Sequence, residues 1–140
     1  TDALQPYMAE QIDATTAHDV VLADLDLDGD LDLVKRNQGA TGDVIRVFRQ
    51  RAGGGWTERT IPSVAGEGLE VADLDADGDP DIVISGVWYE NDGRQRFTAR
   101  PISDRPAGLV TLQLLDVNGD GQITGNDALR ITRHGLIRRR

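Results

Sequence analysis

The sequence predicts an all-β fold of blade-like antiparallel sheets, with acidic loops at the hairpins and a short helix near the C-terminal end. Three observations predict it. An acidic stretch recurs three times along the chain, beginning at Asp24, Asp73 and Asp116, spaced 49 and then 43 residues apart. A period of that length marks a repeated supersecondary unit. Between the acidic stretches lie short β-rich runs bounded by Gly, Asn and Asp turns, and no helical periodicity occurs before about residue 120.

A second marker keeps step with the first. Tyr7–Ile12, Trp56–Ile61 and Phe97–Ile102 each place an aromatic residue five positions before an isoleucine, and each isoleucine precedes the next acidic stretch by 12, 12 and 14 residues. The units divide accordingly: an N-terminal strand segment over 7–19, repeat 1 over 20–62, repeat 2 over 63–103 and a partial repeat 3 over 104–140.

Within repeat 1, "DVVLAD" runs into the acidic stretch, "DLVKR" runs out of it, "VIRVFRQ" follows, and the Trp56–Ile61 segment comes last. Repeat 2 offers "LEVADL", "DIVISG", "VWYEN" and the Phe97–Ile102 segment in the same order. Turn chemistry in "QGATGD", "AGGG" and "NDGR" separates them. Four short strands is the size of one propeller blade, so the units read as incomplete β-propeller repeats. Repeat 3 differs: Ala128, Leu129, Thr132 and Leu136 fall near helical spacing, and Asn126 or Asp127 suits a helix cap.

The acidic stretches carry the chemistry. "ADLDLDGDLDLV" sets five aspartates at alternate positions, a crowd of like charges that a folded chain tolerates only around a cation. Calcium takes six to eight hard oxygen ligands, and alternate carboxylates on a curled backbone converge on one point, with glycine permitting the curl. Loop one offers Asp24, Asp26, Asp28, the backbone carbonyl of Asp30, and Asp32. Loop two offers Asp73, Asp75, Asp77, Asp79 and Asp81. The twelfth positions, Lys35 and Ile84, exclude an EF-hand in both. Loop three offers Asp116, Asn118, Asp120, Gln122 and Asp127, the last standing at the twelfth position as in a near EF-hand. Two to three calcium ions are expected. A lone Asp-Gly hairpin turn would explain one pair of residues, not five spaced carboxylates occurring twice.

Composition agrees. The formal net charge is −9, from 24 acidic and 15 basic residues. Such a chain repels nucleic acid and anionic membrane and suits divalent cations. No cysteine is present, which excludes disulfides and thiolate metal sites. Apolar runs are only a few residues long, so no membrane insertion is expected. "TDALQPYMAE" has neither the basic start nor the apolar core of a signal peptide.

On these residues, loops one and two resemble the calcium-binding repeats of the FG-GAP and VCBS families, found in integrin α propellers and bacterial surface proteins. "GVWYENDG" is similar to the bacterial versions, and "DVNGDGQITGNDAL" resembles one half of a dockerin. The resemblance covers about residues 20–130. It implies blade-like sheets, calcium at the loop residues named above, and an extracellular or cell-surface setting.

No catalytic constellation accompanies the loops. His18 and His134 stand apart without an orienting partner, and Ser63, Ser85 and Ser103 lack a nucleophile-elbow context. Trp56, Trp88 and Tyr89 read either as inter-blade packing, the preferred role, or as a sugar-stacking surface. The expected function is a non-catalytic, calcium-stabilised extracellular module. The alternatives are a lectin-like adhesion module that binds glycans, or the propeller part of a larger polysaccharide-degrading enzyme. Because Tyr7–Ile12 matches the last strand of a unit and repeat 3 lacks one, a head-to-tail homo-oligomer, ring or filament, is expected through that segment.

Overall fold

A computed structural model describes residues 10–37, 44–64, 68–84, 86–102, 130–132 and 135–137. Two four-stranded antiparallel sheets account for most of it. The first holds β1 (Asp19–Ala23), β2 (Asp32–Asn37), β3 (Val44–Gln50) and β4 (Trp56–Pro62) in that spatial order. The second holds β5 (Leu69–Ala72), β6 (Asp81–Ile84), β7 (Val87–Asn91) and β8 (Phe97–Pro101), again in sequence order. The acidic stretches beginning at Asp24 and Asp73 each join the first two strands of a sheet, as the repeat pattern requires; the one beginning at Asp116 lies outside the described residues. The blade-like all-β reading therefore holds, and no helix occurs among the described residues.

Registers coincide between the sheets. Ala23 pairs with Asp32 and Leu33 with Phe48; at the same repeat positions Ala72 pairs with Asp81 and Ile82 with Tyr89. One apolar core joins the two sheets, built on Leu25, Val34, Ile45, Val47 and Ile61 from the first unit and Leu69, Ile82, Ile84 and Tyr89 from the second. β1 lies against β5. Alternation supplies this core: Val21 and Ala23 pack inward, whereas Val20 and Leu22 are half exposed on the opposite face.

Lys35, the one lysine of the chain, is buried by a strap at residues 13–15. Its Nζ donates to Asp13 Oδ2 (2.6 Å), to Thr15 Oγ1 (2.8 Å) and to the Thr15 carbonyl. Hydrogen bonds from Lys35 and Thr15 hold the Asp13 carboxyl well below the usual carboxylate range.

The C-terminal end corrects one expectation. Where spacing suggested a helix, β9 (Arg130–Thr132) pairs antiparallel with β10 (Gly135–Ile137). Ile131 and Thr132 are β-branched and Gly135 disfavours helix, so local preference reinforces the hairpin. The suggested cap at Asn126 or Asp127 lies outside the described residues. Of the Tyr7–Ile12 segment, Glu10 to Ile12 are in no strand of this chain, and the rest lies outside the described residues.

Candidate metal centre

Both acidic loops adopt the same curl, fixed by their own side chains. In loop one, Asp24 accepts from the backbone N–H of Asp28 (Oδ1, 3.1 Å) and of Gly29 (Oδ2, 2.9 Å), while Asp28 Oδ1 accepts from Asp30 N–H at 3.0 Å. In loop two, Asp73 accepts from Asp77 (3.1 Å) and Gly78 (2.9 Å), and Asp77 Oδ1 accepts from Asp79 N–H at 2.9 Å. Left-handed backbone occurs at matching places, Leu27 and Gly29 in one loop and Ala76 and Gly78 in the other. Leu27 and Ala76 carry a Cβ in that region, a strained choice that the surrounding hydrogen bonds must offset.

The ninth residue of each loop is an anchor. Asp32 is buried and accepts from Leu25 N–H (3.1 Å) and Gln50 N–H (2.9 Å). Asp81, fully buried, accepts from Leu74 N–H (2.9 Å) and Asn91 N–H (2.8 Å). Each thus ties its loop to the third strand of its sheet. Burial pushes both carboxyls up, against the pull of those N–H donors, and that of Asp81 reaches about 6.

Carboxylates of Asp24, Asp26 and Asp28 bring oxygens within 4.8 Å of one another, as do those of Asp73, Asp75 and Asp81. Asp30 and Asp32 do not join the first group, nor Asp77 and Asp79 the second. The loop-three residues Asp116, Asn118, Asp120, Gln122 and Asp127 lie outside the described residues. All-oxygen donor sets of this kind suit a hard cation such as calcium. Asp26 adds a direct indication of fit: both its carboxylate oxygens are buried without a hydrogen-bond partner, Oδ2 is met only by an ion pair with Arg49, and Oδ1 has no partner among the described residues. Its carboxyl is raised first by burial and then by Asp28 and Asp24, with Arg49 opposing. Asp75 is likewise raised by burial and by its acidic neighbours. A divalent ion would relieve this repulsion.

Residues outside the loops complete the site, and the acidic pattern did not reveal them. The β7–β8 turn of the second unit reaches back to loop one. Asn91 Nδ2 donates to the Leu25 carbonyl at 2.9 Å, and Gln95 Nε2 donates to Asp32 Oδ2 at 3.2 Å. Arg59 donates to the Gln95 carbonyl from the first unit. A cleft of about 500 Å³ between the units is lined by Asp26, Arg49, Arg59, Arg94 and Gln95, among others. The signal was present as "NDGRQ", but its amide and guanidinium groups read as ordinary turn residues.

The aromatic residues divide. Tyr89 is buried, and its hydroxyl accepts from Val64 N–H at 3.1 Å, so it belongs to the core and cannot stack on a sugar. Trp88 is partly buried against Leu74 and Val83, with Arg100 Cζ 5.9 Å from its ring centroid. The His18 ring pairs with Asp19 at 3.2 Å on the surface, and among the described residues no helix is long and apolar enough to cross a membrane.

Residues 24–84 match the family model of the FG-GAP-like repeat. The match spans acidic loops one and two and the strands between them, so this part of the chain is similar to FG-GAP-type repeats, which form β-propeller-like modules. Repeats of this family are generally non-catalytic and typically extracellular. No curated protein and no solved structure matches the chain.

Proposed function

We propose that this protein is a non-catalytic extracellular structural module whose blades are stabilised by calcium. The single observation that carries this reading is the convergence of three carboxylates in each of loops one and two, with Asp26 Oδ1 buried and without a partner among the described residues. Asp24, Asp26 and Asp28 would hold one ion and Asp73, Asp75 and Asp81 another; loop three is proposed as a third site on its residue pattern. The ion would supply the charge neutralisation that the loops lack, pinning the first hairpin of each sheet. Binding to the folded state alone stabilises by mass action. Chelation should therefore lower the melting temperature sharply, and calcium should restore it better than magnesium. A melting curve indifferent to chelator would overturn the reading.

Head-to-tail self-association belongs to the same proposal. Val20 and Leu22 on β1, with Leu27 and Leu31 in the loop it enters, are each more than half exposed, an apolar flank suited to a further blade. The proposed contact is made through the Tyr7–Ile12 segment, added as a strand to a sheet of a second copy. Sedimentation velocity of the chain with and without residues 1–13, in calcium, tests it; a monomer in both cases would refute association.

A further inference from the structure

The two acidic loops share a backbone curl but differ in one neighbour. Leu33 pairs with Phe48 and Ile82 with Tyr89; Asp32 accepts from Gln50 N–H and Asp81 from Asn91 N–H. These four relationships align the third strands residue for residue, so Arg49 of β3 and Glu90 of β7 occupy the same place beside their loops. In loop one the place holds a cation. Arg49 Nε forms an ion pair with Asp26 Oδ2, and its Nη2 lies 3.4 Å from Asp28 Oδ2. In loop two the place holds an anion, and Glu90 is turned to an ion pair with Arg100.

We propose that Arg49 is a resident counter-ion of loop one, so that the two loops are unequal cation sites. The inference rests on the calcium reading above. Among the described residues no cation is ion-paired to loop two: Arg100 lies near enough to act on Asp75, but its charge is matched by Glu90, so loop two takes a divalent cation more tightly. Loop one must first release the Arg49 guanidinium, which is half exposed and free to swing into solvent. Arg49 neutralises only part of the cluster: Asp26 Oδ1 is buried and has neither a hydrogen bond nor an ion pair among the described residues. The site therefore retains an attraction for a second positive charge, but a weaker one than loop two has. Calcium should accordingly fill loop two first, and loop one should keep its curl at calcium levels that leave it empty.

Calcium titration calorimetry on the full chain carrying Asp75→Asn and Asp120→Asn, which disable loops two and three, reports loop one. Adding Arg49→Gln should tighten its calcium binding by up to about fivefold, the scale of a lost competing ion pair. The calcium-free melting temperature should fall at the same time. Arg49→Lys keeps a charge without the planar fork and serves if Arg49→Gln does not fold; an intermediate affinity is expected. In the otherwise unaltered chain, Glu90→Arg should loosen loop two. Calcium bound with the same affinity whether or not Arg49 is replaced would overturn the counter-ion inference and leave the calcium reading standing. No calcium heat in the unaltered chain would overturn the calcium reading, and the inference with it.

Discussion

Asn91 donates its side-chain amide to the carbonyl oxygen of Leu25, 2.9 Å away in the other unit, and also to that of Pro80, 3.0 Å away in its own. The amide is buried, so both carbonyls depend on it in place of water. Its Oδ1 accepts from Gly93 and Gln95 N–H at 3.2 and 3.1 Å, which shapes the turn that covers loop one. Replacing it leaves several buried polar groups unpaired, each costing about 1–3 kcal/mol. Asn91→Ala should destabilise by about 3 kcal/mol in urea unfolding, whereas Gln50→Ala, at the equivalent position of the first sheet, should cost less than about 1 kcal/mol. Equal costs would contradict the bridging role.

Acidity should act on the calcium-free protein in an unusual direction. The Asp81 carboxyl is raised by burial from 3.8 to about 6, so between those values the folded chain holds a proton that the unfolded chain has lost. Stability therefore falls as pH rises through that window. Asp26, Asp32, Asp75 and Glu70 are raised as well, each chiefly by burial, and act in the same sense. In chelator, melting at pH 5 should exceed melting at pH 7, with calcium abolishing the difference because the ion favours ionised carboxylates. Calcium affinity should weaken as pH drops below about 6. A chelated protein more stable at pH 7 than at pH 5 would refute this.

Gly93 couples the β7–β8 turn to loop two. Its φ is +72°, and a Cβ there would lie 2.6 Å from Asp79 Oδ2. Gly93→Ala meets both left-handed strain, about 1–2 kcal/mol, and displacement of that carboxylate. A loss of about 2 kcal/mol is expected by thermal unfolding. Gly54→Ala, where φ is +88° and nothing lies within 4 Å, should show the strain alone and cost less.

Packing and sugar-stacking roles for the aromatics predict different mutants. Tyr89→Phe keeps the ring and loses the contact with Val64 N–H, which should cost about 1 kcal/mol. Trp88→Ala removes a ring packed on Leu74 and Val83 and should cost about 2–4 kcal/mol. Glycan-array binding that disappears in Trp88→Ala while its melting temperature is unchanged would instead identify a carbohydrate platform.

Much of this architecture was legible in the order of residues. Alternating apolar positions such as Ile45 and Val47, together with Gly-rich turns, mark strands because a pleated chain shows each face every second residue. The acidic loops were legible too, since Asp24 and Asp73 organise their own curls through bonds within five residues. The C-terminal segment was not: Ala128 to Leu136 fits a helical spacing, yet Arg130–Thr132 and Gly135–Ile137 pair as strands. Short apolar runs are ambiguous between the two periods, and pairing resolves them.

The sequence by itself determined the repeat, its strands and the local carboxylate geometry, because each depends on neighbours in the chain. Only the tertiary structure decided which carboxylates converge, since Asp81 joins its group and Asp32 does not, although the two occupy the same position in their repeats. It alone set Arg49 against Asp26 and Asp28, and Gln95 and Asn91 against loop one, across separations of 21 to 66 residues. Such contacts are made by the register of the third strand and the packing of one sheet on the next. A charge or an amide acquires its partner there, and no local pattern of residues specifies which partner it will be.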